Sequence, residues 1–429
     1  MGNLIRLAIA LLLLFVLVHE AFAQNLTTAR PEHARDDSLF SSGLILYGEG
    51  RYQQALAAFL AVSDSARPGL LQNIATVHLG LGDLRNAEKE FRRALISDST
   101  SLRVRLQLAE LLDGQGRSDE AEKLYREVVK RDSSLLPALQ GLGTILMKKR
   151  KYAEAVEVFD RAILASPRNA GLYAQAGTAL KNLGKSDSAR TMLATSLALN
   201  PTNVSVMAEL GAIYLGKKEY QDALRLFSAA AKAQPWNSEI LFKAGLCEEK
   251  LSVPDDAADY FRRATLADTT NVLAFGHLGS MCFQRKLYDS SIVAYQAAAE
   301  LEPDNPGIFI NMGISYSCID SIARAIACLR KAIKVMNPAD VGAVYERIGA
   351  LQLGGNHFAE AKESYRKAVL FDPGRTASIF YQAFCCDQLN QYDQAKKLYS
   401  AFLNAPKSAE SDKERVAVAR KRLSLLNTK

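Results

Sequence analysis

Residues 204–235, VSVMAELGAIYLGKKEYQDALRLFSAAAKAQP, decide how the rest of the chain is read. Gly211 and Ala223 stand twelve residues apart, Phe227 follows Ala223 by four, and Pro235 closes the stretch. A glycine inside a helix costs roughly 1 kcal/mol relative to alanine, so Gly211 needs a reason to be there. Two antiparallel helices crossing at short range supply one, with a small residue on each. Phe227, one turn beyond Ala223 on the same face, fills the space beside the contact. Tyr220 covers the turn between the helices, and Pro235 stops the second of them.

The pattern repeats along the chain. The second small residue recurs at Ala55, Ala87, Ala121, Ala155, Ala189, Ala223, Ala257, Ser291, Ala325, Ala361 and Ala395, eleven copies, each with an aromatic or leucine four residues on. From Ala87 to Ala325 the step is 34 residues seven times running. The first step is 32, and the step from Ala325 to Ala361 is 36. Twelve residues before each copy stands Gly or Ala, glycine at eight of the eleven. Gly50, Gly82, Gly116, Gly184, Asn356 and Asn390 share one place in the repeat, where a left-handed residue is expected to end the first helix. Pro167, Pro201, Pro235, Pro303 and Pro373 share another, with Pro338 displaced by one. The first three repeats lack that proline.

Small residue, aromatic and proline at these offsets resemble the tetratricopeptide repeat (TPR) family, most closely from Leu210-Gly211 and Tyr214 through Ala223, Phe227 and Pro235. The resemblance covers about residues 36–406, although Leu39, Leu71, Arg105, Tyr173, Phe275 and Phe309 stand where the family has tryptophan. It implies an all-α fold, a right-handed superhelical α-solenoid of helix-turn-helix repeats whose first helices line a concave face, each repeat touching only its neighbours.

Outside the repeats, Arg6 precedes an apolar run from Leu7 to Val18, and Ala21-Phe22-Ala23 puts small residues where a signal peptidase reads. Residues 1–23 are therefore expected to be a cleavable signal peptide. The alternative is an uncleaved anchor, but the run is short against the ~20 residues that span hydrocarbon, and no stable membrane insertion is expected after cleavage. With no cysteine before Cys247, lipid attachment at the cleavage site is excluded. The expected location is the bacterial periplasm, or secretion beyond it. Residues 24–35 read as a flexible leader, residues 36–406 as eleven tandem repeats, and 407–429 as a capping helix with Val416, Ala419, Leu423 and Leu426 on its apolar face.

Composition narrows the chemistry. The 429 residues are 48% hydrophobic and 23% charged, with a mean hydropathy of -0.05, enough apolar material to bury a large core. Length alone suggests about three domains of ~150 residues. The repeats replace that division. A formal charge of +7 without a clustered basic face points to no nucleic-acid partner. The five histidines are scattered and none has metal-ligand spacing, so no metal and no cofactor is expected. Gly80-Leu81-Gly82 and Gly141-Leu142-Gly143 follow no strand and carry no G-K-[ST] ending, which makes them repeat glycines rather than phosphate loops. Neither G-x-S-x-G nor C-x-x-C occurs. The six cysteines read as small buried thiols, although Cys247 and Cys282 fall at near-equivalent places where a bridge is conceivable. Asn25 and Asn203 head glycosylation sequons that matter only in a eukaryotic secretory route. No catalytic constellation remains, and the chain is expected not to be an enzyme.

Members of the resembled family bind peptide segments or protein partners along the inner groove. Read onto this chain, the first half has a mixed polar lining of Gln72, Thr76, Glu110, Gln140, Thr144, Thr178, Lys181 and Asn182. The second half has Phe242, Leu246, Phe283, Ile310, Ile314, Leu353, Phe380 and Phe384, a row of large apolar residues of the kind that marks an interaction surface. The competing reading is that neighbouring first helices bury these side chains against one another. A carboxylate clamp found in one subgroup of the family is incomplete, with only Asn311 and Arg347 matching. The expected function is a non-catalytic protein–protein interaction scaffold of the bacterial cell envelope. The alternative is an accessory subunit of an envelope export or polysaccharide/cell-wall synthesis machine.

Overall fold

The structure, a computed structural model, describes residues 31–405 and 411–427. The expected signal peptide and its cleavage site lie outside those residues. The chain forms two compact units, Met1–Thr202 and Asn203–Lys429. Among the described residues there are twenty-three α-helices and no strand. The first unit holds five pairs: α1 Pro31–Gly48 with α2 Tyr52–Leu60, α3 Leu70–Gly80 with α4 Leu84–Ser97, α5 Leu102–Gly114 with α6 Ser118–Arg131, α7 Leu136–Lys148 with α8 Tyr152–Ala165, and α9 Ala170–Asn182 with α10 Ser186–Leu199. The second holds six pairs and a last helix: α11 Val204–Gly216 with α12 Tyr220–Ala233, α13 Ser238–Lys250 with α14 Pro254–Ala267, α15 Val272–Gln284 with α16 Tyr288–Leu301, α17 Pro306–Ser317 with α18 Ile322–Val335, α19 Val341–Gly354 with α20 Phe358–Phe371, α21 Thr376–Gln388 with α22 Tyr392–Asn404, and α23 Ser411–Asn427.

Within each unit, helices pack chiefly on their sequence neighbours, which makes each an all-α solenoid. The next closest approaches join first helices of adjacent pairs, α1 to α3 and α5 to α7 in one unit, α11 to α13 and α15 to α17 in the other. First helices therefore form a face of their own in each unit.

At six of the eight spacer glycines the close neighbour is a ring rather than the facing alanine; Gly177 and Gly313 instead meet Leu193 and Leu329 together with Ala189 O and Ala325 O, at 3.3 and 3.1 Å. A Cβ on Gly143 would fall 2.4 Å from Phe159, one on Gly245 2.8 Å from Phe261, and one on Gly279 2.9 Å from Tyr295. Each ring comes sixteen residues after its glycine and is buried. The aromatic thus occupies the contact itself, where it was expected beside it.

All eleven turns between paired helices hold one left-handed residue. Gly50, Gly82, Gly116, Gly184, Asn356 and Asn390 are there as expected, and Arg150, Lys218, Ser252, Lys286 and Asp320 adopt the same conformation at φ 53 to 63°. At Arg150 the 6→1 bond from Lys151 N to Leu146 O (2.8 Å) and the bond from Arg150 N to Met147 O (3.0 Å) form the Schellman pattern that holds a side chain in this region.

Between pairs, prolines follow the non-helical residue that ends the second helix, such as Ser166 or Gln234. Where proline is missing, an aspartate takes over. Asp98 accepts from Thr100 N (2.8 Å), Asp132 from Ser134 N (2.9 Å) and Asp268 from Thr270 N (2.9 Å), turning the chain by an Asx turn. Four asparagines 34 residues apart, Asn203, Asn237, Asn271 and Asn305, then cap the next first helix, each accepting a backbone N–H. The Asn203 sequon is therefore a helix cap in this fold.

Both ends carry corrections or details. Of the expected leader 24–35, residues 31–35 are described and belong to α1, which Asp36 anchors. Asp36 is 3% exposed and accepts from Ser63 N and Asp64 N, both at 2.9 Å. In α23, Ala419 and Leu426 are buried against Phe380, Tyr399 and Phe402, with Val416 and Leu423 packed beside them. Arg422 also donates twice to Asp387, at 2.7 and 2.8 Å.

Candidate binding surface

The eight residues expected to line a groove all lie on first helices of the second unit, and the structure sorts them by their place relative to the spacer residue. Phe242, Ile310 and Phe380 stand three residues before it, Leu246, Ile314 and Phe384 one after, Phe283 and Leu353 four after. The place three before turns toward the partner helix. Ring centroids of Phe242 and Phe261 are 5.6 Å apart and those of Phe380 and Tyr399 5.9 Å, and in the first unit Phe40 meets Phe59 at 5.6 Å. Phe380 also meets Phe402 at 5.4 Å and is only 6% exposed. It belongs to the core and not to a groove. A residue one turn before the spacer meets the same ring for which the spacer makes room. Ile310 is half-buried, packed against both the cluster that holds Tyr295, Phe309 and Met312 and the cluster of Leu329, Val344 and Ile348.

Leu246, Phe283, Ile314, Leu353 and Phe384 remain. All five are half-buried, at two places in the repeat on successive first helices. Phe283 rests edge-on against Tyr288 with centroids 5.5 Å apart, and Leu246 and Leu353 pack on the clusters around Phe261 and Tyr365. Each side chain leaves apolar surface open that an extended or helical partner could cover.

His277 escaped the sequence reading. It stacks on Phe261 (5.1 Å) and meets Phe242 edge-on (5.4 Å), while its Nδ1 donates to Glu249 Oε2 at 2.6 Å. That bond holds the Glu249 carboxyl below its ordinary range. It also ties α13 to α15 beside Phe242. The available signal was a ring three residues before one spacer glycine followed by histidine two before the next.

The polar lining expected in the first unit is largely self-satisfied. Thr76 donates to Gln72 O, Thr144 to Gln140 O and Thr178 to Ala174 O, at 2.8 to 2.9 Å, so the hydroxyls turn back onto their own helices. Gln72 donates to Gln107 at 2.7 Å, Lys148 pairs with Asp113 at 2.9 Å, and burial pushes the Glu110 carboxyl above its usual range.

Among the described residues, no cluster of three or more His, Cys, Asp or Glu has metal-holding geometry, and no helix is long and apolar enough to cross a membrane. All six cysteines are free, Cys318 exposed and the other five buried, so Cys247 and Cys282 are not bridged. Burial pushes the Cys247 thiol up to about 12, which keeps it a protonated, unreactive group.

Comparison with known proteins bears on these features. Sequence models described as tetratricopeptide repeat match residues 73–135, 106–170, 146–214, 214–271 and 242–306, together more than half of the chain. Small glutamine-rich tetratricopeptide repeat-containing protein 2 of Mycosarcoma maydis is 33% identical over 95 residues, 22% of this chain and 26% of that protein. The BBSome complex member BBS4 of Bos taurus is 24% identical over 163 residues, 38% of this chain and 31% of that protein. The chain thus spans under a third of either curated relative. The crystal structure of the C-terminal part of a TPR repeat-containing protein from Cytophaga hutchinsonii aligns with 56% of this chain and 97% of its own, at 20% identity and a TM-score of 0.48.

Proposed function

The chain belongs to the tetratricopeptide repeat family, whose members generally mediate protein–protein interactions, and from that premise we propose that it is a non-catalytic scaffold binding a peptide or protein segment on the first-helix face of its second unit. The observation that carries the reading is the set Leu246, Phe283, Ile314, Leu353 and Phe384, half-buried apolar groups at recurring places on α13, α15, α17, α19 and α21. Side chains that are only half covered by their own fold gain most from a partner that completes their burial, at ~25 cal/mol per Å² of apolar surface. A helical or extended segment with apolar residues on one side fits such a face. The proposed setting is the bacterial envelope, periplasmic or secreted, on the strength of the Arg6 to Ala23 segment alone.

Photo-crosslinking side chains at Phe283 and Phe384, compared with the exposed second-helix positions Leu266 and Leu370, test the reading in the native host. The captured polypeptide, purified, should bind the full chain and lose affinity on Phe283→Ala. Equal capture from Leu266 and Leu370, or binding indifferent to Phe283→Ala, would remove the first-helix face from consideration. Sequencing the captured chain's mature N-terminus alongside that of this protein, from fractionated cells, tests the export.

A further inference from the structure

A cleft of about 660 Å³ opens in the second unit between α18 and α20, over α19. It lies on the side of the second helices, away from the residues assigned above. A smaller cleft of about 470 Å³ holds the same place between α6 and α8, across a 34-residue step and with Arg126 paired to Glu154, whereas here the step from Ala325 to Ala361 is 36 residues. One added residue lengthens the link between α18 and α19, which holds the short 3-10 turn Pro338–Asp340, and another lengthens α19. In consequence α18 and α19 share the thinnest interface between consecutive helices within either unit.

The charges on the walls show what the lengthening undid. In the first unit, an arginine five residues after the small residue of one second helix pairs with a glutamate one before the small residue of the next. Arg92 meets Glu120 at 3.1 Å and Arg126 meets Glu154 at 2.5 Å. Only three steps of the chain carry Arg and Glu at these two places, and the third is Arg330 with Glu360. Both line the cleft, yet no ion pair joins them, and neither makes a side-chain hydrogen bond. Lys334, on the Arg330 wall, is likewise unpaired. Between the walls lie Ile333 and the buried Ile348, beside the buried Gln352, which accepts from Ser364 Oγ at 2.6 Å; Tyr345 stacks on Phe371, and on the Glu360 wall Glu363 is already paired with Lys367 at 4.0 Å.

We propose that this cleft is a second binding site, for a short peptide segment in which an apolar side chain stands between an acidic and a basic one. The apolar group covers Ile333 and Ile348. The carboxylate answers Arg330 and Lys334, the cation answers Glu360, and the segment thereby replaces the ion pair that the longer step prevents. The volume suits a few side chains, within the ~300–1,000 Å³ of ordinary ligand sites. The site is independent of the first-helix face and stands or falls without it.

The probe is a fluorescein-labelled hexapeptide with leucine between glutamate and lysine, and its analogue with glutamine at both charged places, titrated into the full chain by anisotropy. Binding of the charged peptide should weaken by about tenfold in Arg330→Gln and in Glu360→Gln, equivalent to ~1.4 kcal/mol for each lost charge pair. It should be lost when Pro338 and Ala339 are deleted, which restores the 34-residue step and lets Arg330 reach Glu360. Phe283→Ala should leave it unchanged. Circular dichroism checks that the deletion folds, and the two point variants decide the matter if it does not. The site is overturned if the charged peptide does not bind, if the glutamine analogue binds equally, if the point variants bind as the parent does, or if Phe283→Ala abolishes binding.

Discussion

Gly279 and Tyr295 stand so close that a Cβ on the glycine would come within 2.9 Å of the ring, whereas Gly276, one turn earlier on α15, has nothing within 4 Å of that position. Tyr295 is buried and cannot swing away freely. Gly279→Ala should therefore destabilise, since overpacking costs roughly 1–3 kcal/mol against a helix-propensity gain of about 1 kcal/mol. Gly276→Ala should stabilise by about 1 kcal/mol, the propensity term alone. Urea midpoints of the two full-length variants should move in opposite directions. Movement in the same direction would mean that the ring does not dictate the glycine.

The turns between paired helices offer a second contrast. Lys286 holds φ 59° and Lys218 φ 63°, at the place where Gly116 holds φ 78°. A left-handed conformation costs an L-residue roughly 1–2 kcal/mol, while glycine adds up to ~1 kcal/mol of unfolded-state entropy. Lys286→Gly should raise thermal stability modestly, by about 0.5–1 kcal/mol, and Gly116→Ala should lower it by about the same amount. A Lys286→Gly protein that melts earlier than its parent would refute this account of the turn.

The helix pairs were legible in the sequence because their constraints act between residues at fixed separation. Gly211, Ala223 and Phe227 recur at constant offsets since one crossing geometry is reused, and α23 was visible from the one-sided row Val416, Ala419, Leu423 and Leu426. What escaped was direction. The place of Phe380 in the repeat is shared with Phe242 and Ile310, and nothing in its spacing tells whether the ring faces solvent or Tyr399. The pairing at nineteen residues, shared by Phe40 with Phe59 and Phe242 with Phe261, carried the missing information. The helical state of residues 31–35 was missed, and the backbone N–H groups of Ser63 and Asp64 that bind Asp36 are a contact that residue types do not announce. The cleft at Arg330 and Glu360 was half-legible. The 36-residue step was plain, but its effect on an ion pair needed the geometry of Arg92 and Arg126 for comparison.

Asparagine capping supplies a third expectation. Asn237 Oδ1 accepts from Ile240 N at 3.2 Å and opens α13, the helix that carries Phe242 and Leu246. Replacing such a cap by alanine costs about 1 kcal/mol, whereas aspartate keeps the acceptor and adds a favourable charge at the helix start. Asn237→Ala should lower the denaturation midpoint and Asn237→Asp should hold or raise it. Equal loss in both variants would show that the side-chain amide, and not the cap oxygen, matters at this position.

Glu122 predicts a pH dependence located in the first unit. It is 7% exposed and sits among Lys149 (2.6 Å), Arg126 (2.8 Å) and Lys151 (3.4 Å). Burial alone would raise its carboxyl, but the bonds from Lys149 and Arg126 prevail and bring it down to about 2. A carboxyl depressed in the folded state contributes stability that is fully present above its unfolded value of about 4.3 and is lost as pH falls toward the folded one. The parent should therefore be more stable than Glu122→Gln at neutral pH, and the gap between their melting temperatures should narrow from pH 5 to pH 2, estimated as roughly the span between unfolded and folded titration. A further distinction follows from the second partner of Arg126, since Glu154 pairs with the same guanidinium from α8. Glu154 is more exposed than Glu122, so Glu154→Gln should cost far less at neutral pH, as exposed pairs contribute only ~0–1 kcal/mol. A melting-temperature gap that stays constant across the acid range would show that Glu122 stabilises by packing rather than by charge.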